Sequence, residues 1–336
     1  MSEKNATRSS LTIVIPDDYQ DAVRELQAFK KLEGHEVTVF TDTVKDIGAL
    51  AQRFAHAQVL VPIRERTAIG DDLLTRLPGL KLISQTGKGV THIDVAACTR
   101  RGIAVATGSG SSHAPAELTW ALLLAAVRAL PRQIASAKAG NWQTAPIGTS
   151  LNGRTLGIYG YGGIGKIVAG YGKAFGMRVL VWGREGSVSR ARQDGYDVAT
   201  NKRAFFEQSD VVSLHLKLSA DTNGIVTATD LACMKPTSVL INTSRADLIE
   251  RDALVTALRA GRPGYVAVDA YEEEPTRDHP LFHLDNAICT PHLGYVEKDS
   301  YEILFGHAFD NLLAFEAGHP VNLVNPEVLG AEKARS

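Results

Sequence analysis

The chain has 336 residues, room for two domains of ordinary size, and its 36 Lys and Arg nearly cancel its 37 Asp and Glu, which removes the basic surface a nucleic-acid partner needs. The 44% hydrophobic fraction is globular, and Cys98, Cys233 and Cys289 are too few and too far apart for a disulfide framework or a zinc spacing. The polar start MSEKNATRSS lacks the apolar core of a secretion signal, and the most apolar run, 116–130, is too short for a bilayer, so a cytoplasmic protein without membrane association is expected.

Residues 11–15 are apolar and β-branched and read as a strand. Residues 21–32 have helical spacing and stop at Gly34; 36–40 is a second strand. Strands at 59–63 and 81–84 flank a helix near 71–77, and 103–106 adds another short strand. Strand and helix in alternation imply a parallel sheet. The GSGSS loop at 108–112 is a candidate boundary. The helix that follows, 116–130, is apolar nearly all round, which suits a buried core helix or a subunit seam, and a homodimer is expected. A second series of strands runs 155–159, 178–182, 211–216, 238–242, 265–269 and 287–290. Their unbroken apolar centres fit a sheet covered on both faces, and six of them suit a doubly wound nucleotide-binding domain. A helix at 298–315 and a polar tail end the chain.

Gly160-Tyr-Gly162-Gly163-Ile164-Gly165 follows the strand 155–159 and opens a helix at 166–175. Gly160 permits a tight turn, Gly162 lets the backbone approach a pyrophosphate, and Gly165 allows close packing of helix on strand. The helix N-terminus then offers unpaired N–H groups to phosphate. About 20 residues on, where an acid would hold the ribose of NAD, stands Gly183, followed by Arg184. Loss of the acid and gain of a guanidinium favour NADP(H), with Ser187, Ser189 and Arg190 in support. In the alternative, Arg184 stacks on adenine and Glu185 reaches the ribose hydroxyls of NAD.

Three more clusters fall at strand ends, where open α/β sheets bind ligands: Asn242-Thr243-Ser-Arg245-Ala246, Val268-Asp269-Ala-Tyr-Glu-Glu-Glu274-Pro275 and Thr290-Pro-His292-Leu-Gly294. Together with the glycine loop, Thr86-Gly-Lys-Gly-Val-Thr-His-Ile-Asp94, Ala116-Glu-Leu-Thr119 and Met234-Lys-Pro236, they resemble the D-isomer-specific 2-hydroxyacid dehydrogenase family over nearly the whole chain. The resemblance implies a Rossmann cofactor domain, 109–296, inserted into a flavodoxin-like substrate domain, 1–108 with 297–336, and a small 2-hydroxy or 2-keto acid bound in the cleft between them. It implies that Arg245 grips the substrate carboxylate, that His292 is the general acid or base, and that Glu274 orients His292. Thr243 and Asp269 fall to the cofactor, and Lys88, Gly89 and Val90 to the substrate carboxylate. Arg64, in Arg64-Glu-Arg66, resembles the phosphate-binding arginine of some phosphoglycerate dehydrogenases. The resemblance therefore implies an NAD(P)-dependent D-2-hydroxyacid dehydrogenase, with D-3-phosphoglycerate as one substrate. Glyoxylate/hydroxypyruvate reduction is the alternative, and a dinucleotide-sensing corepressor-like protein a third reading.

Glu274 separates the chain from formate dehydrogenases, which carry glutamine there. Ala246 and Lys217 stand where the family has glycine and proline, and a C-terminal regulatory module is not expected after Leu329. His279 and His283 are four apart, but Pro280 intervenes and a third ligand is lacking, so no metal is expected. His215 reads as structural, and His113 as a neighbour of the substrate pocket.

Overall fold

The computed structural model describes residues 10–329; residues 1–9, which hold most of the polar start read above, and residues 330–336 lie outside them. The chain divides into two compact units, Met1–Ser111 with Glu297–Ser336, and Ser112–Val296. Both are parallel α/β sheets, as the strand alternation requires.

In the first unit β1 (Thr12–Ile15), β2 (Glu36–Val39), β3 (Val59–Leu60), β4 (Leu82–Gln85) and β5 (Ala104–Thr107) lie in the order β2-β1-β3-β4-β5, the flavodoxin-like order. The switch point falls between β1 and β3. β3 stops earlier than its apolar run suggests, because Pro62 has no N–H for the ladder. Helices α1 (Ile47–Phe54), α2 (Asp71–Leu74) and α3 (Val95–Arg100) follow; α1 and α3 are capped by Asp46 and Asp94, which accept from Ala49 N and Ala97 N. The helix expected at 21–32 is instead two 3-10 segments, Val23–Glu25 and Gln27–Leu32. Leu26 between them is extended (φ −69°, ψ 144°), which breaks an α-helical ladder, and the buried Asp18 carboxylate takes the Val23 N–H. The C-terminal helix, Lys298–Glu316, buries Leu304, Phe305, Ala308, Phe309 and Leu312, and Ser84 Oγ donates to its Ala308 carbonyl at 2.7 Å.

In the second unit β6 (Thr155–Tyr159), β7 (Arg178–Trp182), β8 (Asp197–Val198), β9 (Val211–Leu214), β10 (Val239–Asn242), β11 (Tyr265–Val268) and β12 (Ala287–Cys289) lie in the order β12-β11-β10-β9-β6-β7-β8. The six expected strands are present. β8, two residues long, is too short to leave a pattern in sequence. The order is the doubly wound dinucleotide order with one strand added, and it switches between β6 and β9.

Helix α4 (His113–Val127) starts and stops three residues before the expected range; at Ala129 the backbone turns left-handed (φ 47°) and α5 (Leu130–Lys138) begins, a helix whose short weak pattern the sequence does not announce. α4 is apolar all round because it packs on α6 (Gly163–Ala174), β10 and β11: Leu122, Leu123, Ala126 and Val127 share one core with Val168, Ala169, Ile241 and Ala267. Helices α7 (Glu185–Gln193), α8 (Lys202–Gln208), α9 (Ala228–Ala232) and α10 (Ala253–Arg259) complete the layers. Beneath α8, Phe205 and Phe206 meet Tyr159 of β6 edge-to-face, with ring centroids 5.7 and 6.4 Å apart.

β5 is an edge strand, and the chain covers it with its own C-terminal segment. Ala106 and Leu323 form an antiparallel bridge, Val324 N donates to Val105 O, and Thr107 N to Asn322 O. Asn325, fully buried, is the clasp: its Oδ1 accepts from Val105 N at 2.8 Å and its Nδ2 donates to Ile103 O at 2.9 Å. Asn325→Ala leaves two buried backbone groups unpaired and is expected to destabilise the first unit by about 2–4 kcal/mol, read by chemical denaturation; a loss under about 0.5 kcal/mol overturns the clasp.

Candidate active site

The second unit collects the sequence motifs at the carboxyl edge of its sheet. Gly160 turns the chain out of β6 at φ +96°, and a Cβ there would lie 2.6 Å from the His215 carbonyl, so only glycine fits. Gly162 is the N-cap of α6 and has open space where a side chain would stand. Gly163, Ile164 and Gly165 form the first turn of α6, whose N–H groups lack intrahelical partners. A Cβ on Gly165 would collide with the Gly160 carbonyl, which ties the helix start to the strand end. This cradle, open at Gly162 and lined by free amides, fits a dinucleotide pyrophosphate.

Gly183 ends β7, with Ser187 packed so close that an added Cβ would lie 3.3 Å from the Ser187 Cβ. Arg184 is largely exposed and 3.6 Å from Asp221. Glu185 faces Arg192 at 3.6 Å, and Arg190 turns back to donate to the Tyr161 carbonyl at 3.2 Å.

The loops after β10, β11 and β12 converge. After β10, Asn242 folds the loop on itself: its Nδ2 donates to Arg245 O at 2.8 Å and its Oδ1 accepts from Ser244 N at 3.1 Å. Thr243 Oγ1 meets Thr119 Oγ1 of α4 at 2.7 Å. Ala246, where the family has glycine, opens a 3-10 turn that alanine tolerates. After β11, Asp269 is fully buried, and it accepts from Thr290 Oγ1 (2.6 Å), Leu293 N (2.7 Å) and Gly294 N (2.8 Å). Burial pushes its carboxyl up, and those donors and the charge of His292 offset only part of that rise.

His292 itself sits at φ +53°, and its Nδ1 lies 2.6 Å from Glu274 Oε2; the other Glu274 oxygen accepts from Tyr271 N at 2.9 Å. Burial acts to raise the Glu274 carboxyl, but the bond and charge of His292, the Tyr271 N–H and the charge of Arg245 outweigh it, and the carboxyl stays below its usual range. Tyr271 also donates its hydroxyl to Thr290 O at 3.0 Å, binding the Glu274 loop to the His292 loop. A carboxylate that orients an imidazole, with an arginine charge close enough to act on that carboxylate, is the equipment of proton transfer to an anionic substrate.

In the first unit, the loop after β4 turns at Gly87 (φ +97°). Arg64, itself left-handed at φ +55°, lays its guanidinium where a Gly87 side chain would be, and Glu65 does the same at Gly89. Thr86 Oγ1 joins the two segments, accepting from Arg64 N at 2.9 Å and donating to Pro62 O at 2.8 Å. Lys88 is exposed; Gly89 and Val90 are half-buried. Arg66 turns away, donating to the Asp17 carbonyl at 2.5 Å with its guanidinium 4.4 Å from the Tyr19 ring centre.

Sequence reading missed Glu65, Thr119 and Tyr271 as parts of these sites. Glu65 alternates with Arg64 and Arg66, but nothing in the pattern tells which neighbour points at a glycine. His279 and His283 pair with Glu272 (3.2 Å) and Asp278 (2.6 Å), and no group of three or more potential metal ligands occurs among the described residues. His215 Nε2 meets Ser213 Oγ at 2.8 Å, and burial pushes the imidazole down to about 4. His113 is the exposed first residue of α4.

Comparison with known proteins places these motifs. Residues 120–294, over half of the chain, match the model of the D-isomer specific 2-hydroxyacid dehydrogenase, NAD binding domain. A D-3-phosphoglycerate dehydrogenase of Methanocaldococcus jannaschii is 36% identical over 82% of this chain, which spans 52% of that protein's length. A glyoxylate reductase of Aeropyrum pernix is 37% identical over 77% of this chain and 80% of its own. The crystal structure of a phosphoglycerate oxidoreductase from Vibrio cholerae o395 superposes with a TM-score of 0.89 at 51% identity, covering 92% of this chain and 99% of that one.

Proposed function

The chain belongs to the D-isomer specific 2-hydroxyacid dehydrogenase family, and from that premise we propose that it interconverts a small D-2-hydroxy acid and its 2-keto acid. The observation that carries this reading is the 2.6 Å bond between His292 Nδ1 and Glu274 Oε2. With Nδ1 engaged, Nε2 is the nitrogen left to exchange a proton with the substrate oxygen. Glu274, its carboxyl held below the usual range, fixes the imidazole through Nδ1. Arg245 takes the substrate carboxylate through its guanidinium fork. The glycine cradle and Thr243 hold the dinucleotide, Asp269 sets the loop beside it, and when bound the dinucleotide supplies or receives the hydride. The unit 112–296 is thus the cofactor domain and the remainder the substrate domain.

Arg64 with Lys88, Gly89 and Val90 is assigned to the substrate's anionic groups, which supports 3-phosphoglycerate and phosphohydroxypyruvate. A second reading, glyoxylate or hydroxypyruvate reduction, is favoured by Glu65: its carboxylate against Gly89 opposes a phosphate and suits a hydroxyl. The missing acid at Gly183, with Arg184 and Arg190 near it, supports NADP(H) over NAD(H). Free Cys98, Cys233 and Cys289 suit a reducing cytoplasm. The homodimer is supported by an apolar surface on α5 and the segment after it, where Leu130, Ile134, Trp142 and Ile147 are exposed, the last two by 85% and 98%.

Four measurements test these assignments. In a panel of phosphohydroxypyruvate, hydroxypyruvate and glyoxylate, each with NADH and NADPH, the protein is expected to turn over at least one pair. His292→Ala should lower kcat by about 10²–10⁴-fold and Arg245→Ala should raise KM by roughly tenfold or more, with dinucleotide binding retained. An undiminished kcat in His292→Ala, or an unchanged KM in Arg245→Ala, removes that residue from the mechanism. Glu274→Gln replaces the carboxylate that orients the imidazole, so kcat should fall by about 10–100-fold with KM for the dinucleotide unchanged; an unchanged kcat refutes the pairing. Wild-type protein should elute as a dimer and Trp142→Asp/Ile147→Asp as a monomer by light scattering; a monomeric wild type ends the dimer assignment.

A further inference from the structure

The residue between the first two glycines of the cradle, Tyr161, has no role in the assignments above, yet it is the most heavily tied residue of the loop. Its side chain is 2% exposed, and its hydroxyl donates to Asp194 Oδ2 at 2.7 Å. The same oxygen meets Lys166 Nζ, from the second turn of α6, at 2.9 Å. Arg190 of α7 holds the Tyr161 carbonyl at 3.2 Å, and the Tyr196 ring packs edge-on at 5.8 Å. Asp194 is the C-cap of α7. Tyr161 is therefore gripped at backbone and side chain from α7, and Tyr161, Lys166, Arg190 and Asp194 line a hollow of about 410 Å³ that reaches Gly162 and Gly163.

We infer that Tyr161 and Asp194 are positioning residues that lock the glycine loop in its dinucleotide-binding geometry, α7 serving as the fixed support. The physical need is clear. Tyr161 stands between Gly160 and Gly162, two residues whose backbones lose the most freedom on ordering. Unlocked, the loop samples other conformations, and the dinucleotide must bear the cost of ordering it. The locked loop presents its amides in advance. The phenol carries most of the effect: burial pushes the Tyr161 hydroxyl up, and that hydroxyl is the main cause that lowers the Asp194 carboxyl, in a bond that is buried on the tyrosine side and partly open on the aspartate side. Lys166, mostly exposed, adds little. The lock acts on binding and not on proton transfer, since it touches none of Arg245, Glu274 and His292.

This inference rests on the dinucleotide reading, and the test separates the two. Dissociation constants for NADH and NADPH are measured by fluorescence titration on the full-length protein, alongside kcat, KM for the dinucleotide and thermal midpoint, for wild type, Tyr161→Phe, Asp194→Asn and the double variant. The expected result is a rise of about fivefold or more in dissociation constant and KM for both single variants, with kcat at saturation within about twofold. The double variant should be no weaker than the worse single one, because both remove the same bond. Unchanged dissociation constants overturn the lock. So does a fall in thermal midpoint and kcat without a change in KM, which marks a structural bond only. A wild type that binds neither dinucleotide overturns the cofactor reading and this inference with it.

Discussion

Asp269 is a carboxylate shut away from water just past the end of β11, and the loops of the candidate site are arranged around it. An unpaired buried carboxylate costs several kcal/mol, so the chain must bring donors to it. It brings three: the Thr290 hydroxyl and the N–H groups of Leu293 and Gly294. Those residues bracket His292, and meeting the demand of Asp269 fixes the loop on which the imidazole rides. Tyr271, two residues beyond Asp269, fastens the same loop from the other side through Thr290 O. The bond of His292 to Glu274 then follows from two loops that are each already constrained.

The same logic recurs at other strand ends. Asn242 closes its own loop with two side-chain bonds and thereby aims Arg245. Thr86 joins the loop after β4 to the loop after β3, so that Arg64 and Glu65 lie on Gly87 and Gly89. Tyr161 and Asp194 do this for the glycine cradle. In each case a polar side-chain group, satisfied within its own unit, holds a neighbouring segment at one position. That division suits an active site, because the positioning bonds form on folding and the reacting groups stay available.

Charge follows the same plan. The net of −1 conceals a separation: Arg64, Lys88, Arg184 and Arg245 stand past the carboxyl ends of strands, beside the assigned anion sites, while many acids face solvent on helices. Small anions are recognised by local donors and amides, so near neutrality overall is compatible with tight binding of charged substrates.

Much of the architecture, and the motifs that line the candidate site, were legible in sequence. Parallel strands buried on both faces must be apolar throughout, and glycines that approach a phosphate or a crowded carbonyl cannot be replaced, so both leave marks that need no coordinates. The motifs at 160–165, 242–245, 269–274 and 290–294 are of this kind. Tertiary structure decided what depends on partners distant along the chain. Residues 21–32 form 3-10 turns because Asp18 and Leu26 break the ladder, although the apolar spacing suits a helix equally. β8 is a strand only because β7 lies beside it. Glu65 and Arg66 look alike in a charged tripeptide, yet one lies on the Gly87–Gly89 loop and the other on Tyr19. The pairing of Tyr161 with Asp194 spans 33 residues and has no sequence mark, because a hydrogen bond needs proximity, and proximity is created when α6 and α7 both pack on β7.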